Sequence, residues 1–146
     1  MAIVRGCPFP EEFFYDVGNH VWYQPETEGI VRLGITPVGV ALAREILVFT
    51  PKRVGHRFQA GKALALVESG KWIGSVRAAF AGEVTVINEP LTARADLLNV
   101  DCYGAGWMML VRPEADDWRA ATAPGATIAA AYEAWMEENG FAGCGK

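Results

Sequence analysis

Apolar and polar residues recur with short, regular spacing through the first half of this chain. In residues 31–35 every second position is apolar, which is the period of a strand with one buried face. Thr36 and Pro37 come next and predict the start of a short helix that ends near Ala43. Residues 46–49 form another apolar, β-rich run. The pattern therefore predicts strand, short helix and strand in succession.

A lysine lies between two further apolar segments. Residues 63–67 predict one strand, and residues 76–86 predict its partner, with Gly82 as a bend or bulge. The sequence Glu68-Ser69-Gly70-Lys71 lies between them. Lys71 is therefore predicted at a hairpin turn, where another enzyme can reach and modify it. This placement favours a carrier over a catalyst.

The last third of the chain predicts helices around one more strand. Residues 92–100 fit a short helix capped by Thr92, and residues 107–111 fit the last strand. Residues 124–139 place apolar side chains on one helical face, and Gly140 ends that helix. We expect an N-terminal arm at residues 1–19, a domain at 20–140 and a flexible tail at 141–146.

Length and charge exclude several classes of partner. A chain of 146 residues suits one domain that buries roughly 68–70% of its extended surface. The net charge of -4 and the scattered basic residues argue against nucleic acid. The longest apolar stretches are too short, or too interrupted, to cross a membrane. We therefore expect a cytoplasmic protein with neither nucleic acid nor membrane as a partner.

The cysteines do not predict a metal site or a disulfide framework. Cys7, Cys102 and Cys144 are odd in number and form no Cys-x-x-Cys pair. Free thiols in a reducing compartment are the expected state. His20 and His56 have no third ligand nearby in sequence, so His20 is predicted to be a packing residue and no metal is expected.

Several motifs, taken in order, resemble the H-protein family of the glycine cleavage system over roughly residues 20–138. The resemblance is carried by His20-Val21-Trp22, Glu68-Ser69-Gly70-Lys71, Gly82-Glu83-Val84, Asn88-Glu89-Pro90-Leu91 and the run Asn99-Val100-Asp101-Cys102-Tyr103-Gly104-Ala105-Gly106-Trp107. Cys102 stands where the family usually has proline. Together these motifs are far more specific than any one of them.

The resemblance implies a mainly β fold, a flattened β-sandwich of the barrel-sandwich-hybrid type with flanking short helices and a C-terminal helix. It also implies that Lys71 bears lipoate through an amide bond. Such an arm reaches roughly 14 Å from the backbone, so one carrier can visit separate active sites. The implied partners are a lipoate ligase or lipoyltransferase, the enzymes that the arm serves and, as a further one, dihydrolipoyl dehydrogenase.

Departures from the family pattern decide which pathway is expected. Gly70, Trp72 and Ile73 replace the small aliphatic residues usual around the lysine, and both chain ends carry a cysteine. Cysteine-bearing ends resemble lipoate-binding relatives that work with heterodisulfide-reductase-like complexes in sulfur oxidation, which is the main expectation. One alternative is the glycine cleavage carrier of an aminomethyl group. The other is an unmodified interaction module.

The residues around Lys71 have candidate roles, each beside a plainer alternative. Glu68 orients the modifying enzyme or the hairpin, or is an ordinary solvated carboxylate. Ser69 and Gly70 allow a ligase to approach closely. Trp72 is a lid against which the arm rests, or simply a half-buried tryptophan. Cys102 exchanges with the dithiolane, or is a buried and inert thiol.

Overall fold

The computed structural model describes residues 1–70 and 72–145. Lys71 and Lys146 lie outside the described residues, so the position of Lys71 at the hairpin turn stays a prediction. No helix in the described part of the chain is long and apolar enough to cross a membrane.

The described residues form twelve strands, four α-helices and three single 3-10 turns. The strands are β1 (Ala2–Val4), β2 (Cys7–Phe9), β3 (Phe14–Asp16), β4 (Val21–Pro25), β5 (Val31–Ile35), β6 (Ile46–Pro51), β7 (Arg57–Phe58), β8 (Ala63–Ser69), β9 (Ile73–Arg77), β10 (Gly82–Ile87), β11 (Met109–Pro113) and β12 (Ala123–Pro124). The helices are α1 (Pro37–Ala43), α2 (Glu89–Ala93), α3 (Leu97–Val100) and α4 (Ile128–Asn139), and the 3-10 turns are Thr27–Gly29, Trp118–Ala121 and Gly125–Thr127.

Two antiparallel sheets enclose the main core. The larger one has the strand order β12-β3-β4-β5-β11-β10-β7, and the smaller one has the order β6-β8-β9. Apolar side chains of both sheets, such as Leu33 and Val84 on one side and Phe49 and Val67 on the other, belong to one buried cluster. The N-terminal hairpin β1-β2 is a separate pair. The predicted mainly β, flattened sandwich with a C-terminal helix is confirmed.

Strand β4 is apolar at consecutive positions because both of its faces are buried. Val21 and Tyr23 point into the core between the sheets. Trp22 points the other way, into a second buried cluster with Phe9, Tyr15 and Tyr132 that lies beneath α4 and the N-terminal hairpin. The seven-stranded sheet is thus covered on both sides, which explains why the period-two pattern of β5 does not continue into β4.

The early elements follow the sequence closely. The hydroxyl of Thr36 accepts a hydrogen bond from the N–H of Gly39 (3.3 Å), so Thr36 caps α1 as predicted, and the helix ends at Ala43. The predicted strand at residues 31–35 is confirmed as β5. The run at residues 46–49 is confirmed as a strand, which continues to Pro51 in β6.

The predicted partner strand of the lysine hairpin is wrong. Residues 76–86 do not form one strand: β9 pairs with β8, whereas β10 crosses to the other sheet and pairs with β11 and β7. Phe80 gives the physical reason for this break between β9 and β10. Its ring is buried against Tyr23 and Trp118, and this contact directs the chain away from β8 after β9. The register shift in β10 lies between Val84 and Val86, after Gly82 rather than at it.

Three boundaries in the last third also differ from prediction. The helix expected at residues 92–100 is two helices, α2 and α3, with Thr92 inside α2 instead of at its start. Arg94 and Asp96, which form an ion pair (2.7 Å), separate them. The strand predicted at residues 107–111 begins at Met109 as β11, and it is not the last, since β12 follows at Ala123–Pro124. Helix α4 begins at Ile128 after a 3-10 turn. The end of α4 at Gly140, in the left-handed conformation, is confirmed.

The chain ends are joined, against the expectation of three free thiols. Cys7 and Cys144 form a disulfide across 137 residues, and only Cys102 is free. Arg5 binds the same region: its guanidinium donates to the carbonyl of Phe141 (2.9 Å), and its own carbonyl accepts from the N–H of Cys144 (3.0 Å). Residues 141–145, predicted to be flexible, are therefore anchored. Sequence spacing could not pair two cysteines so far apart, and the cytoplasmic location stays a prediction.

Candidate functional site

The predicted site lies on the hairpin of β8 and β9 in the three-stranded sheet. Glu68 in β8 stands opposite Ile73 in β9 and opposite Val48 in β6. The N–H of Ser69 donates to the carbonyl of Trp72 (2.8 Å), a backbone hydrogen bond between the end of β8 and the residue before β9. An added Cβ at Gly70 would meet nothing within 4 Å, so this position is open.

Trp72 directly precedes β9, and its side chain lies along that strand. A Cβ at Gly74 would collide with the outer edge of the Trp72 indole, so the ring lies directly over the Gly74 backbone. The exposed fraction of Trp72 is still 46%. Trp72 is thus held in place on one side and open on the other, which is compatible with the predicted lid.

A groove of about 200 Å³ lies beside this hairpin. Trp72 and Val76 form its wall on the hairpin side, α1 contributes Gly39 and Leu42, and the loop before β4 contributes His20. Gly39 is required there, because a Cβ would collide with the side chain of Ile35 and come within 3.1 Å of the His20 Cβ. Most of the lining is apolar, as in sites that receive the hydrocarbon part of a ligand.

His20 joins the groove to the C-terminal helix. Its Nδ1 lies 3.0 Å from the hydroxyl of Tyr132, and its ring packs edge-on against Trp135 with 4.5 Å between ring centroids. Burial lowers the pKa of His20 to about 4, with Asp16 opposing that shift. The ring is therefore neutral near pH 7, in agreement with the predicted packing role.

The outer face of the three-stranded sheet is apolar around the hairpin. Val48, Leu66 and Ile73 are exposed on this face, and Ile73 is 65% exposed. Glu68 is the charged side chain in their midst, since cross-strand pairing sets it between Val48 and Ile73. Such a face suits repeated, transient contact with partner enzymes.

Cys102 is not brought to the groove. It lines a separate cavity of about 350 Å³ together with Pro8 and Cys144. Its carbonyl accepts a hydrogen bond from Trp22 Nε1 (3.1 Å), and burial raises the pKa of its thiol to about 12. The predicted exchange with a dithiolane stays a prediction, and both the location and the pKa count against it.

A metal site has no support in residues 1–70 and 72–145, where no three His, Cys, Asp or Glu side chains cluster. His20 packs among aromatic side chains, as described above, and Cys7 and Cys144 are bonded to each other.

Comparison with known proteins identifies the family. The model of the family described as "Glycine cleavage H-protein" matches residues 14–137. This chain belongs to the glycine cleavage H-protein family. Glycine cleavage system H protein 5 of Aquifex aeolicus is 39% identical over 117 residues, which are 77% of this chain and 78% of the relative. H protein 2 of the same organism is 41% identical over 109 residues, 75% of this chain and 68% of the relative.

A solved structure agrees with this assignment to the H-protein family. The glycine cleavage system H protein from Mycobacterium marinum superposes with a TM-score of 0.72 and 26% sequence identity, over 90% of this chain and 99% of that one. Proteins of the H-protein family are carriers with lipoate covalently attached to a lysine. The two relatives and the solved structure described above are all named as glycine cleavage system H proteins.

The described residues around the hairpin fit a lipoyl group. The apolar groove that begins at Trp72 can receive a hydrocarbon stem and an uncharged ring. A groove lined by polar groups would bind them less well, because those groups would lose water without gaining hydrogen bonds. The approach of a ligase at Gly70 stays a prediction.

Sequence reasoning found the hairpin and missed the groove. Asn19, Gly39 and Leu42 line it from positions far from Lys71 in sequence. One signal was present: a glycine in the middle of a seven-residue helix is unfavourable unless close packing requires it.

Proposed function

We propose that this protein is a lipoyl carrier in which Lys71 holds the lipoate and the groove beside Trp72 is the resting place of the arm. The observation that carries the proposal is the juxtaposition of an apolar groove with the hairpin whose sequence is Glu68-Ser69-Gly70-Lys71. When bound, lipoate supplies a disulfide and dithiol couple that exchanges with other thiols.

The residues of this chain hold the hairpin in shape and offer a contact to a partner enzyme. Ser69 and Trp72 close the hairpin through their backbone hydrogen bond, and Gly74 lets the Trp72 indole lie flat beside the groove. Glu68 offers one carboxylate in an apolar face, a contact that a basic residue of a partner can pair with. Among the described residues none needs to act as a general base, because proton transfer belongs to the partner enzymes.

The attachment site is tested by mass. After co-expression with a lipoate ligase, intact mass and peptide mapping should show one lipoyl adduct, on Lys71. Lys71→Arg should abolish the adduct completely, because an arginine side chain cannot form the amide. Lys62→Arg, just before β8 and so at the end of that strand away from Ser69, should leave it unchanged. An adduct that persists in Lys71→Arg would contradict the proposal.

We propose the glycine cleavage enzymes as the partners, and this is supported by the names of the similar proteins. The lipoylated carrier should then accept the aminomethyl group from a glycine decarboxylase at a rate comparable to an established H protein. Failure to accept it, with Lys71 shown to be lipoylated, would remove this pathway while leaving the carrier function.

A sulfur-oxidising, heterodisulfide-reductase-like complex is the second candidate. It is supported by Cys7 and Cys144, because cysteine-bearing chain ends resemble the lipoate-binding relatives that work with such complexes. In this chain the two cysteines are bonded to each other. Binding of the lipoylated carrier to such a complex, with no loading by glycine decarboxylase, would select it. An unmodified interaction module is what remains when mass spectrometry finds Lys71 bare after co-expression with the ligase.

A further inference from the structure

We propose that the groove beside Trp72 sorts the lipoyl arm by the charge of its load: it shelters an arm with an uncharged load and excludes an arm that ends in a cation. The inference rests on the proposed function, because it needs Lys71 to carry the arm.

The lining of the groove has no formal charge in the described part of the chain. The loop before β4 and the elements β5, α1, β8 and β9 contribute to it. Their side chains include the apolar Leu42 and Val76, the indole of Trp72, and the polar but neutral Asn19 and Ser75. No described lining residue is an aspartate, glutamate, lysine or arginine. The two residues outside the described part, Lys71 and Lys146, have no side-chain carboxylate to contribute either.

The titratable groups around the groove do not supply a negative charge to it. His20 is neutral near pH 7, and its Nδ1 faces the Tyr132 hydroxyl. Asp16, the carboxylate that raises the pKa of His20 against the effect of burial, accepts two hydrogen bonds from Asn19: one oxygen lies 3.2 Å from the backbone nitrogen of Asn19, and the other lies 2.9 Å from its Nδ2. Asp16 is not among the residues that line the groove.

A cation in this groove therefore loses water without gaining a carboxylate partner, and only the neutral oxygens of Asn19 and Ser75 can accept from it. An unpaired ammonium is expensive to desolvate, whereas a dithiolane, a thiol or an alkyl thioether gains from leaving water. Trp72 offers an aromatic face to a cation, but such a contact is weak where the ring is half exposed. The balance favours uncharged sulfur-bearing loads. The protonated amine of an aminomethyl load would instead stay in solvent, available to the next enzyme.

The test uses two arms of equal length that differ in charge. The full chain is lipoylated by co-expression with a ligase. Its arm is reduced with dihydrolipoyl dehydrogenase and NADH, which spare the Cys7–Cys144 disulfide, and is then alkylated with 1-bromopropane or 2-bromoethylamine. Each thiol loses its proton to the buffer, a carbon–sulfur bond forms, and bromide leaves. The S-propyl and S-aminoethyl products have the same number of heavy atoms, and only the second is cationic. Intact mass confirms both.

The readout is the indole N–H resonance of Trp72 in a nitrogen–proton correlation spectrum, assigned by its loss in Trp72→Phe. The oxidised and S-propyl arms should shift this resonance relative to the unlipoylated chain. The S-aminoethyl arm should leave it near the unlipoylated position, which corresponds to more than about tenfold lower occupancy of the groove.

A matched pair of variants tests the cause. Leu42 is 49% exposed, so a longer polar side chain is tolerated there. Leu42→Glu places a carboxylate at the groove and should make the S-aminoethyl arm shift the Trp72 resonance. Leu42→Gln, with the same shape and no charge, should not.

Two results overturn this inference alone. They are equal shifts from the S-propyl and S-aminoethyl arms, and no shift from any arm on a chain whose Lys71 is shown by mass to be lipoylated. A bare Lys71 overturns the proposed function, and this inference with it, so the two failures are distinguishable.

Discussion

The lysine hairpin and the chain ends are built in opposite ways. The hairpin leaves apolar side chains in water: Ile73 is 65% exposed, and Trp72 is half exposed. The chain ends, which we call the terminal clasp, are β1, β2 and residues 141–145, tied together by Arg5 and by the disulfide. In the clasp Cys7 and Phe9 are fully buried.

This difference in the exposure of apolar side chains distinguishes a surface suited to binding from a region that stabilises the fold. In the proposed function a partner enzyme docks at the hairpin, and its apolar face would then be buried only in a complex. The clasp buries its apolar residues within the chain and closes it covalently. His20 stands between the two regions, since it lines the groove and contacts α4.

Breaking the clasp should cost the most stability. Replacing both Cys7 and Cys144 with serine removes a loop closure across 137 residues, which the chain-entropy account values at about 5 kcal/mol. The free energy of unfolding, measured in urea, should fall by up to that amount. Reductant should have the same effect on the wild type and little effect on the double variant.

The same double variant tests whether the hairpin is independent of the terminal clasp. Because the hairpin belongs to the other sheet, lipoylation of Lys71 under native conditions should be unchanged. If the variant is folded, by circular dichroism, but the ligase no longer modifies it, the two regions are coupled and the division between them is wrong.

His20 should give the next largest effect, as a pH dependence of stability. Its pKa is about 4 in the folded chain and about 6.5 when unfolded, so the unfolded state binds the proton more strongly. The stabilisation is complete above pH 6.5 and is lost as the pH falls toward 4, by about 3 kcal/mol. Urea unfolding at several pH values from 4 to 7 measures it.

The control for this pH effect is His20→Asn. Asparagine tolerates the positive φ of 61° at this position and does not titrate in this range. Its overall stability should fall at every pH, but its stability curve should be flatter than that of the wild type between pH 4 and 6.5. Parallel stability curves of the wild type and His20→Asn would show that the titration of His20 does not cause the pH dependence.

Gly74 and Gly70 should separate support of the site from access to it. Gly74→Ala should push the Trp72 indole off the backbone, shift its indole resonance and lower the free energy of unfolding by about 1 kcal/mol. Gly70→Ala has open space and no positive φ, so it should change neither. A Trp72 resonance that is unmoved in Gly74→Ala would mean that the groove does not depend on this contact.

The sequence predicts local structure well and pairing poorly. The cap at Thr36 and the stop at Gly140 depend on a few neighbouring residues, and both are confirmed. The crossing from β9 to β10 in the other sheet depends on where Phe80 is buried, and Phe80 packs against Tyr23 and Trp118 from other parts of the chain. Local patterns do not contain this information.

The candidate site divides in the same way. The motif at Glu68 to Lys71 is continuous in sequence, so the hairpin was found. The groove is assembled from the loop before β4, from α1 and from β9, and the disulfide joins opposite ends of the chain. Contacts of this kind follow from the topology, which the spacing of cysteines or apolar residues does not reveal.

Cys102→Ser should have the smallest effect, within about 1 kcal/mol of stability and none on transfer between partners. Cys102 lies on the clasp side, beside Cys144, and its raised pKa of about 12 leaves about one thiolate in 100,000 at pH 7. Iodoacetamide should therefore modify the native thiol far more slowly than the unfolded one. Rapid modification at pH 7, with slower transfer in Cys102→Ser, would return this thiol to the site and extend the functional surface into the clasp.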